Sequence, residues 1–274
     1  DMEIASERMY RAITSGEKIC IFADYDVDGT ASASIIKLWC QHFGIVPEIY
    51  IPDRMTEGYG PNCKAIQDIS TRNSLIICVD CGTVSHDALH LATLNEVDVI
   101  VFDHHKADRK LPPVLAIVNP NRLDDISELG YLCAAGVVFL LLVATNRLFR
   151  SKGGSVPNLM SLLGIVALAT VADVVPLVGL NRAIVRQGLK IIAQRTNLGL
   201  VALADASGIK EKPDTYHLGF LIGPRINAAG RLSDARISVD LLTCDNLEIA
   251  MKLASELDAL NNKRKTIEEE VLNE

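Results

Sequence analysis

What the chain lacks narrows its function first. There is no surplus of positive charge: 27 Lys and Arg face 34 Asp and Glu, a net charge of −7 over 274 residues. That counts against a protein whose whole surface grips duplex DNA, though not against a local basic track or a metal-bridged phosphate substrate. There is no second cysteine pair to complete a zinc site; Cys78 and Cys81 form a lone C-x-x-C among seven cysteines. That motif ends an apolar run instead of opening a helix, which also weakens a redox reading. The odd cysteine count, with Cys20, Cys40, Cys78 and Cys133 in apolar segments, fits a reduced, cytoplasmic compartment. The apolar run Ala134–Thr145 is only about half of a bilayer span, so it reads as a buried helix and no membrane partner is expected. No signal peptide, internal repeat or low-complexity tract is visible, and the N-terminus is polar and helix-like.

What is present is ordinary globular material, 49% apolar and 22% charged. The first half alternates. Apolar runs at Lys18–Ala23, Val46–Ile51, Leu75–Val79, Val97–Phe102 and Leu115–Val118 read as strands. Between them, Ala31–Phe43, Pro61–Ser70 and Ser85–Leu94 have helical spacing, with Pro61 in a first turn and Ser85 as an N-cap. Strands alternating with helices predict an α/β fold with a parallel sheet, and continuous apolarity predicts helices on both faces. From Ala134 the texture is helical: Ala134–Arg150, Leu159–Val171, Asn181–Gln194 and Leu198–Ser207, with Ser151–Asn158 as a clear loop. The expected organisation is a sheet part over 1–130, a mostly helical part over 131–245, and a long helix over 246–274. The helical pattern simply ends at Glu274, as in a fragment cut inside or just after a long helix.

Chemistry collects where strands run out. The first strand is followed by "DYDVDG", with Asp24, Asp26 and Asp28; the third by Asp80; the fourth by Asp103, His104 and His105. In an open parallel sheet these ends share one edge, outside which ligands bind. If the backbone stays extended, Asp26 and Asp28 point to the same side and could bridge cations. With Asp80 and His104 they make an oxygen-rich set with one imidazole, suited to Mn²⁺ or Mg²⁺ ahead of zinc. Two close metals would clamp a phosphoryl group. A calcium loop is the bland alternative, but its distal Glu is missing and Ile35 stands in its place. Asp24 reads equally well as a simple helix cap. A lone acid, Asp173, sits in apolar "ATVADVVPL", either as a ligand or as a helix-terminal turn before Pro176. "GPRINAAGRLSDAR" (Gly223–Arg236) offers Arg225, Asn227 and Arg231 to a phosphate, or is only a polar loop. Arg54 and Tyr59, in the loop after the second strand, could reach the same sheet edge.

Taken in order, "DYDVDGT", "VDCGT", "DHH" and "VADVVPL" resemble the four signature motifs of the DHH phosphoesterase superfamily. "PDRMTEGYG", "AIVNPN" and "GPRINAAGRL" resemble its RecJ branch of single-strand-specific exonucleases. The resemblance covers roughly Lys18 to Leu242. It implies a phosphodiesterase with two divalent ions, Mn²⁺ or Mg²⁺, that degrades single-stranded DNA from the 5′ end to mononucleotides in repair and recombination. It implies Asp26, Asp28, Asp80, His104 and Asp173 as metal ligands. Asp103, His105 and Arg231 then fall close to the reacting phosphate, and Asp24, Arg54, Arg225 and Asn227 near the substrate. By analogy a single-strand-binding protein or a helicase is a partner. The resemblance also implies a DHH-associated domain beyond a connecting helix. Three alternatives remain at this point: a nano-RNase, a cyclic-dinucleotide phosphodiesterase, or a Cdc45-like binding protein that has lost catalysis.

Overall fold

Five apolar segments pair into one sheet: β1 (Ile19–Ala23), β2 (Glu48–Tyr50), β3 (Leu75–Val79), β4 (Asp98–Phe102) and β5 (Ala116–Val118). The structure is a computed structural model and describes residues 1–273. Strand order is β2-β1-β3-β4-β5 and every pairing is parallel. β1 and β3 are buried along their whole length, as continuous apolar runs require. Side chains alternate between two cores. Ile21, Ile77 and Phe102 point into one, and Phe22, Cys78 and Val101 into the other.

The smaller core is closed by α3 (Cys63–Ser70) and α4 (His86–Leu94), through Ile66, Ile69 and Leu89. The larger takes α1 (Met2–Thr14), α2 (Val27–Gln41) and α5 (Ala134–Ser151) against the sheet. The Trp39 indole of α2 donates to Asn146 Oδ1 of α5 at 2.8 Å, so the largest buried side chain also satisfies its polar atom. A 3₁₀ turn (Leu159–Leu162) leads into α6 (Leu163–Ala172), α7 (Gly179–Ala193) and α8 (Leu198–Ala206). A π-helical stretch (His217–Ile222) runs into α9 (Gly223–Leu232), followed by α10 (Arg236–Leu242) and α11 (Leu247–Asn273). α6 lies on α2 and α5, and α11 spans α8, α9 and α10.

Several local expectations change. α2 begins at Val27, four residues before Ala31, because Asp26 caps it: Asp26 Oδ1 accepts from the backbone N–H of Asp28 and Gly29 at 2.8 and 3.0 Å. Asp28 therefore lies in a helical first turn, and the extended Asp26–Asp28 pair does not form. The capping residue is Asp26, not Asp24. Pro61 precedes the cap of α3, which is Asn62, accepting from Ala65 N at 2.9 Å. Most of Gly223–Arg236 is helix and not a polar loop; Pro224 stands in the first turn of α9, and buried Ile226, Ala228 and Ala229 hold it in the core. α5 is long and apolar enough to cross a membrane by length and composition, yet its Val138, Leu141, Leu142 and Phe149 belong to the larger core.

Candidate metal centre

The sheet itself places three acids. Beyond the last paired residue of each strand the ladder continues by one bond: Asp24 N donates to Val79 O (3.3 Å), Asp80 N to Phe102 O (2.8 Å) and Asp103 N to Val118 O (3.2 Å). Connections leave β1 and β3 in opposite directions, which opens a crevice between their carboxyl ends. Asp24 and Asp80 stand on its two sides. Asp80 adopts φ 60°, a left-handed conformation that is strained for an aspartate and places its carboxylate inward.

The loop after β1 is held from behind. At Gly29 a Cβ would lie 2.4 Å from the Asp24 carbonyl oxygen, so only glycine lets α2 turn this sharply off the strand. Gly230 of α9 meets the same loop, with a Cβ position 2.6 Å from Tyr25 O. Asn227 Oδ1 accepts from Val27 N at 3.0 Å. The Asp28 carboxylate accepts from Ala134 N and Ala135 N at 2.6 and 2.8 Å, which pins it to the first turn of α5. A helix N-terminus is a natural seat for such an anion.

His104 closes the centre. Its Nε2 is 3.3 Å from Asp80 Oδ1, 3.6 Å from Asp173 Oδ2 and 3.7 Å from Asp28 Oδ2. Asp173 arrives from the C-cap of α6, followed by Val174 at φ 58°. Three overlapping sets each bring their ligand atoms within 4.8 Å: Asp24–Asp26–Asp80, Asp28–His104–Asp173 and Asp80–His104–His105. Asp24 Oδ1, Asp80 Oδ1 and Asp173 Oδ2 are buried without a hydrogen-bond partner. Burial and mutual repulsion push these acids up: Asp24 to about 7, Asp28 to about 8, Asp173 to about 6, and Asp80 well above the carboxylate range. Burial pushes His104 down, toward the neutral imidazole that can ligate. Such a cluster fits a group of positive charge.

A second ring of residues orients the first. Asp103 accepts from Thr83 N, His104 N, His105 N and His105 Nδ1, the last at 2.7 Å. Those bonds outweigh burial and hold Asp103 well below the usual carboxylate range, as an acceptor that orients His104 and His105. The same contact raises His105. Tyr59 reaches the edge as expected; its hydroxyl donates to Asp80 O at 3.0 Å. Asn119 Nδ2 donates to Thr83 Oγ1 and His105 O, and Asn121 Nδ2 to His104 O. These two asparagines are not among the expected site residues, and the "NPN" string straight after a strand is their signal.

The cations divide. Arg54 lies over the Tyr25 ring, 5.2 Å from its centroid, in a cleft of about 300 Å³ that Gly230 and Arg236 also line. Arg231 is exposed, and like Arg54 it has no ion-pair partner among the described residues. Arg225 does not join them. Its Nε and Nη2 are 2.8 and 2.7 Å from Asp258 Oδ1 of α11 and its Nη1 donates to Leu221 O, so its guanidinium ties α9 to α11. Asn227 likewise serves the Asp26–Asp28 turn. Cys78 and Cys81 are buried, and among the described residues no metal-capable group contains a cysteine.

The match to known proteins agrees with this arrangement. Residues 18–170 match the family described as "DHH family, N-terminal domain". The single-stranded-DNA-specific exonuclease RecJ of Escherichia coli (strain K12) is 40% identical over 278 residues, covering 98% of this chain and 48% of that protein. The chain thus spans about half the length of this curated relative. A crystal structure of exonuclease RecJ bound to manganese superimposes with a TM-score of 0.90 at 35% identity, over 99% of this chain and 68% of that one. RecJ from Thermus thermophilus in complex with Mn²⁺ gives a TM-score of 0.87 at 33% identity, over 99% of this chain and 39% of that one. By sequence and by fold, this chain belongs to the DHH family, in its RecJ branch.

Proposed function

We propose that the chain is the catalytic part of a divalent-metal-dependent phosphodiesterase that shortens single-stranded DNA from the 5′ end to mononucleotides, in DNA repair and recombination. The observation that carries it is three buried carboxylate oxygens without a hydrogen bond, those of Asp80 and Asp173 beside His104 and that of Asp24 in the set with Asp26 and Asp80. Nothing but cations satisfies that arrangement with every acid ionised. Asp26, Asp28, Asp80, His104 and Asp173 would hold two ions, Mn²⁺ ahead of Mg²⁺ because of the imidazole, with Asp24 beside them. Asp28, grouped with His104 and Asp173, also seats its carboxylate on the N-terminus of α5, and Asp24 adds an oxygen without a hydrogen bond beside Asp26 and Asp80. The ions supply Lewis-acid polarisation of the phosphodiester and a water acidic enough to attack near neutral pH.

The chain's own residues do the rest. Arg54 and Arg231 are free to take phosphate charge, by the bidentate geometry a guanidinium offers. His105, raised by Asp103 and half exposed, is placed to donate a proton toward the leaving oxygen. Thr83, Asn119 and Asn121 keep both histidines aimed. The RecJ matches favour a long single strand over the dinucleotide substrates of a nano-RNase, and the full acidic set speaks against an inactive binding protein. Seven unpaired cysteines suit a reducing, cytoplasmic setting.

The test is a gel assay on a 5′-phosphorylated, 3′-labelled DNA single strand with Mn²⁺, with and without chelator, beside a dinucleotide. Chelator-sensitive shortening of the strand supports the proposal. Cleavage of the dinucleotide alone would replace it with a short-substrate enzyme, and no cleavage of either would remove the activity from this chain.

A further inference from the structure

We propose that helix α7 carries a phosphate track for the single strand whose end is engaged at the metal centre. This rests on the phosphodiesterase function proposed above. α7 packs on α6 through Asn181, Ile184, Val185, Gly188 and Ile192. At Gly188 a Cβ would lie 2.3 Å from the Ala167 Cβ, so the two helices touch backbone to side chain. Outside the packed face, Arg182, Arg186 and Lys190 are all exposed. Their i, i+4, i+8 spacing puts them in one row along the helix, about 12 Å from first to last. α7 contains no acidic residue and α6 no charged residue at all. Among the described residues none of the three has an ion-pair partner, whereas Arg8, Arg72, Arg122, Arg195, Arg225 and Arg236 do. In a chain of net charge −7 this is an uncompensated cationic row. Like charges one turn apart repel, and a polyanion laid along them relieves that repulsion.

Its position ties the row to the site. α6 ends on Asp173 and α7 begins at Gly179. Asn181 Nδ2 donates to Tyr131 O at 2.6 Å, and Leu180 N to the Tyr131 hydroxyl at 3.2 Å. Tyr131 adjoins Gly130, whose carbonyl accepts from the same Asn121 amide that holds His104 O. The row therefore starts beside the loop behind His104 and leads away from it along α6. Each step of about 6 Å along the helix suits successive phosphates of an extended single strand. A dinucleotide held at the metals is too short to reach it.

The test is Arg182→Gln/Arg186→Gln/Lys190→Gln in the 274-residue chain. A second triple, Lys252→Gln/Lys263→Gln/Lys265→Gln on α11, makes the same charge change at other exposed positions. Binding of fluorescein-labelled oligo-dT is followed as salt is raised, and Mn²⁺-dependent dinucleotide hydrolysis is measured beside it. Three lost phosphate contacts should flatten the slope of log K against log salt by about 2. Affinity should fall roughly tenfold or more at low salt, with dinucleotide hydrolysis and melting temperature unchanged. The α11 triple should leave the slope as it is. An α7 triple that binds like the parent, or an α11 triple that loses as much, overturns the track. A parent chain that hydrolyses no phosphodiester refutes the underlying function instead, and the binding slopes still decide whether α7 grips a single strand.

Discussion

Asp28→Asn and Asp24→Asn test two roles within one short turn, since Asp28 both seats the start of α5 and belongs to the ligand set. Each Asp28 oxygen accepts one backbone N–H of α5, at 2.6 and 2.8 Å. Asparagine keeps one oxygen and turns an amide NH₂ toward the other donor. The lost charge-assisted bond is worth about 1.5–3 kcal/mol, and a stranded N–H costs about 1–3 kcal/mol. Relief of a carboxylate whose pKa is pushed to about 8 offsets part of this in the metal-free protein. A net loss of about 2 kcal/mol remains, which in a chain of this size lowers Tm by about 4–8 °C. Mn²⁺ affinity should fall as well, by more than the ~100-fold typical of groups that only orient ligands, because Asp28 stands in the set with His104 and Asp173. Asp24→Asn should part the two effects. Burial and Asp26 raise Asp24 from 3.8 to about 7. At pH above 8 the ionised form is therefore disfavoured by roughly 4 kcal/mol, and a neutral amide removes that cost. Metal-free Tm should rise or hold, while Mn²⁺ affinity falls more than about 100-fold, beyond the loss that orienting groups alone produce. Thermal melting in chelator and Mn²⁺ titration by calorimetry read both quantities. If Asp28→Asn left the metal-free Tm unchanged, or bound Mn²⁺ as the parent does, the double role argued from the α5 bonds and the ligand set would be wrong.

The pH dependence of the metal-free protein has a defined sign. Asp24, Asp28 and Asp173 have folded pKa values above their unfolded ones, so their contribution is fully present below about pH 4 and is lost as pH rises through about 6 to 8, and Asp80, also raised, acts in the same sense. His104, pushed down, acts in the opposite sense, but only as pH falls below about 6.5. Melting in chelator should therefore fall between about pH 6.5 and 8, and the Tm gain from Mn²⁺ should grow over the same range; a flat profile contradicts the buried acid cluster. Gly230→Ala places a methyl 2.6 Å from Tyr25 O and should displace the Asp26 turn, costing about 1–3 kcal/mol and lowering kcat more than KM on a dinucleotide; wild-type kinetics would show the turn is not held by α9. Arg225→Ala should lower Tm by unhitching α9 from α11 while leaving KM unchanged, and a raised KM at unchanged Tm would return Arg225 to the substrate.

The sheet was legible because its strands are continuous apolar runs, and both faces are covered by helices. The strand-end acids were legible for a general reason: parallel strands send every carboxyl end to one edge. The illegible parts depend on partners distant in sequence. Asp28 meets Ala134 and Ala135 across more than 100 residues, Asn227 meets Val27 across 200, and Arg225 meets Asp258 across 33. No local pattern shows that Asp28 also seats the N-terminus of α5 while Asp24 keeps an oxygen without a hydrogen bond. The start of α2 is hidden because alternating aspartates look extended until Asp26 is seen to cap the helix. α9 is hidden because Gly, Pro and Asn suggest a loop, whereas tertiary burial of Ile226 and Ala229 makes it a helix.

Metal binding itself is the most direct measurement. Mn²⁺ is titrated by calorimetry into the chelator-stripped chain and into its Asp80→Ala variant, with circular dichroism run on both. The acids around His104 predict two Mn²⁺ per parent chain, and an Asp80→Ala protein that stays folded yet loses the binding. A parent that takes up no Mn²⁺, or an Asp80→Ala variant that binds as the parent does, would contradict the metal centre.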